Sequence, residues 1–208
     1  MARITPEPGT LTFEDVLRRF AEHPEFIGHG FRIGSRRLEL LVRSNVLPPA
    51  SDDADGRWWF DPEQVDDLIF AGFTTITEKA LVIRHTYAGH DKTEVRTHLG
   101  WNETWTQNKK AEATRQYWPV SDPRDLVEDH ALLVATVANF VVGLWEIESL
   151  DASESDVQYD ETGPYYLDYY GKRRRSFRVA ELPDQQRHPS FHKWLPDFGG
   201  MLTQRYGY

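Results

Sequence analysis

Residues 33–70 read IGSRRLELLVRSNVLPPASDDADGRWWFDPEQVDDLIF. The order of apolar spacings and chain breakers in this stretch decides how the N-terminal part of the protein folds. Leu38, Leu41 and Val42 recur at helical spacing behind Ser35, a residue type that caps helices. Arg36, Arg37, Glu39 and Arg43 fall mostly on the opposite face. Asn45 stands where a left-handed helix terminator is expected, and Pro48-Pro49 prevents continuation. Asp53 to Arg57 predicts a turn, with Gly56 supplying permissive backbone, and Trp58-Trp59-Phe60 predicts a short strand. Asp61-Pro62-Glu63-Gln64 is a helix start, with a cap residue, proline at the first helical position and glutamine at the reciprocal capping position. Val65, Leu68 and Ile69 form the inward face of that second helix, which Gly72 ends. Helix, wing and helix in this order present an arginine-bearing helix beside a β-turn.

Outward from this stretch, the signals thin. Residues 1–10 predict a loose tail. Thr12 and Asp15 can form a capping box ahead of an apolar face of Phe13, Val16, Leu17 and Phe20, and His23-Pro24 ends that helix. Residues 24–33 are expected as a packed loop. Thr77 to Tyr87 is expected as a helix with Ala80, Leu81 and Ile83 inward. A short helix capped by Asp91 and Glu94 should follow, then a third helix from Asn102 to about Tyr117. Such a series suits a second helix-turn-helix, a helical core or a dimerisation arm.

After Trp118 the texture changes. Pro123 to Asp129 suits a helical turn. Ala131 to Ile147, ALLVATVANFVVGLWEI, fits either one buried helix or two strands turning near Asn139, and its valines favour the strands. Val157–Tyr159 and Tyr165–Tyr170 alternate as strands do, and Gly171-Lys172 predicts a tight turn into 173–182. The last 25 residues show little periodicity and are expected to wrap the surface. The expected architecture is α+β: a winged helix-turn-helix over 1–75, a helical segment over 76–118, and a small β-rich domain over 119–208.

The net charge of −9 argues against a protein that binds nucleic acid over its whole surface. The charge is segregated, however. Residues 119–170 carry 12 acidic groups against 1 basic, and residues 171–208 carry 8 basic against 3 acidic. A local basic face can hold phosphates on an acidic protein. The absence of cysteine excludes disulfides and Cys-ligated zinc and suits a reducing cytoplasm. No apolar run is long enough to span a membrane, and no signal peptide is evident.

Arg36-Arg37-Leu38, Val46-Leu47-Pro48-Pro49, Gly56-Arg57-Trp58-Trp59-Phe60 and Asp61-Pro62-Glu63-Gln64-Val65 together resemble the winged helix-turn-helix of MerR-type regulators and excisionase-type modules. The resemblance implies a helix in the major groove of DNA, with Ser35, Arg36, Arg37 and Arg43 as groove or phosphate contacts and Arg57 and Trp58 as wing contacts. The chain departs from the pattern in its longer His23–Ile33 loop, in Asn45 in place of glycine, and in the acidic tip Ser51-Asp52-Asp53-Ala54-Asp55. Residues 117–121 and 140–147 resemble small PUA-like β-barrels, which implies RNA or a modified base as a further partner. Tyr169, Tyr170, Lys172, Arg173, Arg174 and Arg175 would supply stacking faces and phosphate partners there.

Catalytic signals are sparse. The five-residue gap between His85 and His90 puts them on different helix faces, no carboxylate sits at ligand spacing to them or to His98, and Pro189 disfavours a regular helix through His188 and His192. No phosphate loop, nucleophile elbow or zinc-protease pattern occurs. No cofactor, metal or catalytic residue is therefore assigned. DNA binding, as a regulator or mobile-element accessory factor, is the leading expectation, with a second copy of the chain as a further partner. A nuclease with carboxylates from Glu146, Glu148 or Asp168 is the enzymatic alternative. An assembly protein that uses the wing for protein contacts is the third.

Overall fold

The computed structural model describes residues 9–52, 56–89, 98–153, 156–195 and 203–206. Its fold is α+β. Strand β1 (Leu11–Thr12) leads into helix α1 (Phe13–Glu22), whose capping box forms as the sequence predicts. The Asp15 amide donates to Thr12 Oγ1, and the Thr12 amide donates to the Asp15 carboxylate, both at 3.1 Å. Pro24 ends α1 and opens α2 (Pro24–Gly28), so part of the expected loop is a short helix that buries Phe26.

Helix α3 (Ser35–Arg43) buries Leu38, Leu41 and Val42. Its cap position is Gly34, not Ser35, and no side chain bonds the first-turn amides. Asn45 takes the left-handed conformation (φ 61°) that stops the helix. Strands β2 (Ser51–Asp52) and β3 (Trp58–Phe60) pair antiparallel, and β1 adds to the other edge of β3. Helix α4 (Pro62–Phe70) starts on Asp61, which accepts from the Glu63 amide at 2.9 Å. Gln64, expected to complete that cap, lines a cavity instead.

The segment expected as a helix over 77–87 is a strand, β4 (Ala80–His85). Ala80 to Ile83 are all buried, so the apolar pattern is continuous rather than alternating. A strand covered on both faces reads like a buried helix. The second expected helix of this segment falls on residues outside those described. The third is α5 (Gln107–Arg115), capped by Thr106; Asn102 instead holds a turn by accepting from the Thr104 amide at 2.9 Å. Helix α6 (Arg124–Glu128) then leads to β5 (Leu132–Val137), which runs parallel to β4. The crossover through α5 and α6 is what a parallel pair needs.

Strand β6 (Phe140–Leu150) turns back on β5 through Ala138-Asn139, both left-handed at φ 51° and 73°. This is the primed-turn geometry that matches strand twist. Gly143 sits where a Cβ would strike the Trp145 and Trp101 rings. Strands β7 (Gln158–Asp160), β8 (Gly163–Leu167) and β9 (Arg173–Arg174) form a separate small sheet. Strand β10 (Phe177–Glu181) and β11 (Thr203–Tyr206) complete the main sheet, in the order β10-β6-β5-β4-β11.

The C-terminal residues do more than wrap the surface. Trp194 is fully buried, with its ring centroid 4.9 to 5.8 Å from those of Phe20, Phe26, Phe31 and Phe140. Its indole N–H donates to the Leu68 carbonyl at 2.7 Å. One ring thus packs α1, α2, α4 and the head of β6 into a common core. No described helix is long and apolar enough to cross a membrane.

Candidate nucleic-acid interface

The N-terminal half of α3 faces the C-terminal end of β4 and the β5–β6 turn across a cleft of about 690 Å³. Arg32, Arg36 and Arg37 line one side, and Arg84 and Asn139 the other. Two features make this cleft attractive to anions. The first is the bare start of α3. With no side-chain cap, its leading amides point outward, and the positive end of the helix macrodipole adds to them. The second is the arginine cluster. Arg36 and Arg32 are exposed, and their guanidinium groups have no partner among the described residues.

The remaining polar groups hold this cluster in place. The Arg37 guanidinium lies 4.6 Å over the Phe31 ring and donates to the Arg32 carbonyl at 2.6 Å, so it fixes the loop leading into α3. Arg84 Nη2 donates to Asn139 Oδ1 at 2.9 Å, which orients the opposite wall. His85, adjacent on β4, is buried, with Nε2 3.1 Å from Thr114 Oγ1. It belongs to the core, not to a metal centre. Ser35, expected as a cap, is exposed and lines the cleft.

The other sequence-predicted contacts lie elsewhere. Arg43 pairs with Glu39 at 2.7 Å, and its guanidinium sits 5.2 Å over the Tyr87 ring. Arg57 and Trp58 line a different cavity of about 470 Å³, together with Thr12 and Glu14. Trp58 packs on Phe13 with centroids 6.0 Å apart. The structure therefore gathers Ser35, Arg36 and Arg37 in one cavity and assigns the wing residues to another. Of the acidic tip, Ser51 and Asp52 are exposed in β2, and Asp53 to Asp55 lie outside the described residues.

The second expected surface divides. Tyr169 and Tyr170 are 78% and 80% exposed at the β8–β9 turn, beside the exposed Lys172 and Arg173. Arg174 is paired with Asp168 at 2.6 Å. Arg175 is a correction: it is 1% exposed, bonded to Asp160 and to the carbonyls of Gly163 and Pro164, and available to no phosphate. These bonds hold the Asp160 carboxyl below the usual carboxylate range, with the Thr162 hydroxyl the largest cause, followed by the Thr162 amide and the Arg175 guanidinium.

The nuclease carboxylates do not converge. Glu146 pairs with His130 at 3.1 Å, Glu148 is exposed, and Asp168 is taken by Arg174 and by the amides of Tyr170 and Lys172. No group of three or more metal-ligating side chains occurs among the described residues.

A further cavity, of about 510 Å³, lies between α4 and β6 and includes Glu103 and His192. Glu103 there is committed to the buried Lys110 and to the Trp101 indole, the latter at 2.9 Å. Burial pushes the His192 imidazole down from its ordinary value.

Sequence reasoning missed Arg32, Arg84 and Asn139 as partners of the α3 arginines. The missing signal was the strand identity of 80–85, which alone carries Arg84 to the β5–β6 turn. Comparison of the chain with family models, curated proteins and solved structures finds no match.

Proposed function

We propose that the chain is a DNA-binding protein that grips phosphates in the α3 cleft and serves as a regulator or mobile-element accessory factor. One observation carries this reading: four arginines and a bare helix N-terminus line a single cleft on a chain whose net charge is −9. Such a concentration of positive charge against the overall balance suits a local polyanion site. The order α3, β2–β3 hairpin, α4 also supports the winged-helix resemblance, in which the hairpin would add contacts through Arg57 and Trp58.

The test is binding of labelled DNA, both duplex and single strand, by fluorescence anisotropy across a salt series. Log K should fall linearly with log salt, and each phosphate contact removed should lower the slope by roughly 0.7 to 0.9. Arg32→Ala and Arg36→Ala are the informative variants, because Arg37 also holds Phe31 and the Arg32 carbonyl. Both should weaken binding and flatten the slope with little change in Tm. No binding of either DNA at low salt would exclude the proposal.

A further inference from the structure

The exposed stripe of α3 begins in the cleft and ends beside a tyrosine ring. Arg36, Leu40 and Arg43 follow one another along it at helical spacing; the first two line the cleft, and Arg43 lies over the Tyr87 ring. Arg84 and Thr86 face the first two across the cleft, Ala138 and Asn139 close its end, and Tyr87 lies under Arg43. At the far end the Glu103 amide donates to the Ser44 carbonyl at 2.8 Å, tying the 101–103 segment to the end of α3. Gly100, at φ 80°, runs so close to the Tyr87 carbonyl that any Cβ there would collide with it. The Tyr87 position is thus fixed by backbone packing.

A helix that reads a major groove must enter a channel about 12 Å wide with its contact face clear. Here the first part of that face, Arg36 and Leu40, lines a cleft walled by Arg84 and Thr86. From Arg36 in the cleft to Arg43 over the Tyr87 ring the helix rises about 10 Å, at 1.5 Å per residue. At 3.4 Å per stacked nucleotide that is room for about three nucleotides of one strand. Its chemistry is also graded along its length. Phosphate-binding groups (Arg32, Arg36, Arg84 and the α3 amides) cluster at one end. An aromatic ring, 42% exposed and covered on one face by a guanidinium, stands at the other. Cations that track a backbone beside an aromatic platform are what unpaired strands bind to, because every base offers a π-face.

We propose that the α3 cleft holds one unpaired strand of DNA, with phosphates on Arg32, Arg36 and Arg84 and a base stacked on Tyr87. The inference rests on the DNA-binding reading and narrows it: the strand is bound from within the cleft, and a duplex is met only where it opens or ends. Arg43 holds the ring from behind and is itself neutralised by Glu39.

The full chain, titrated with a labelled oligothymidine and with a duplex of equal length and mixed sequence, separates the outcomes. The strand should bind at least ~10-fold tighter than the duplex. Tyr87→Ala should weaken strand binding by about fivefold or more, Tyr87→Phe should retain it, and neither should move duplex binding. Unchanged far-ultraviolet circular dichroism and Tm check that Tyr87→Ala folds. Equal or tighter duplex binding, or a folded Tyr87→Ala that binds the strand normally, overturns the strand proposal while the DNA-binding reading stands. Failure to bind either DNA overturns both.

Discussion

Arg84 Nη2 donates to Asn139 Oδ1 at 2.9 Å, and this bond joins the end of one strand to the turn between two others across the wall of the cleft. Asn139 is 1% exposed and left-handed, so one residue both makes the turn and aims the arginine. Asn139→Gly keeps the backbone conformation and removes the acceptor. DNA affinity is expected to fall by up to about tenfold, the weight of one hydrogen bond to a charged group, with the circular dichroism of the sheet retained. Anisotropy titration beside a thermal melt measures both.

The neighbouring position predicts a gain. Ala138 holds φ 51°, a conformation that costs an alanine about 1–2 kcal/mol. Ala138→Gly removes that strain and gives back part of it in unfolded-chain entropy. A net stabilisation of about 0.5–1 kcal/mol is expected in urea denaturation, with no change in the denaturant slope.

Trp194 is the ring on which the N-terminal helices meet the main sheet. Trp194→Ala is expected to cost about 3–5 kcal/mol, because it opens a cavity among four phenylalanines and strips the Leu68 carbonyl of its donor. Denaturation followed separately by near-ultraviolet and far-ultraviolet signals should show both regions loosened.

Asp160, held by the Thr162 hydroxyl and amide and then by Arg175, sets an acid limit. Asp160 has its pKa lowered in the fold from an ordinary 3.8, so its stabilising contribution is fully present above 3.8 and is lost as pH falls below it. Arg175→Met strands the carboxylate. The variant should have a lower Tm than the parent at neutral pH, and the difference should narrow as the pH is taken below 3.8. A gap that stays constant through that range would contradict this role.

Elements with local punctuation were legible in the sequence. The capping box at Thr12, the cap at Asp61, the stop at Asn45 and the Ala138-Asn139 turn each carry their own chemistry within a few residues. Strand β4 was not legible, because burial on both faces erases the alternation that marks a strand. Arg175 was misread for a related reason. In Lys172-Arg173-Arg174-Arg175 all four residues look alike, and only the carbonyls of β8 and the Asp160 carboxylate distinguish the last. The arginines of α3 were visible, but the wall facing them depends on parallel pairing between residues about fifty positions apart. Local patterning does not contain that information.

Photocrosslinking shows which surface of the protein meets the bases. A short DNA carrying 5-iodouracil, irradiated with the protein and mapped by peptide mass spectrometry, reports which surface touches the bases. The account predicts adducts at Tyr87 and in the peptides that carry Arg32 to Leu40 and Arg84, lost in Arg32→Ala/Arg36→Ala protein. Adducts confined to Tyr169 and Tyr170, with the cleft peptides untouched, would contradict it.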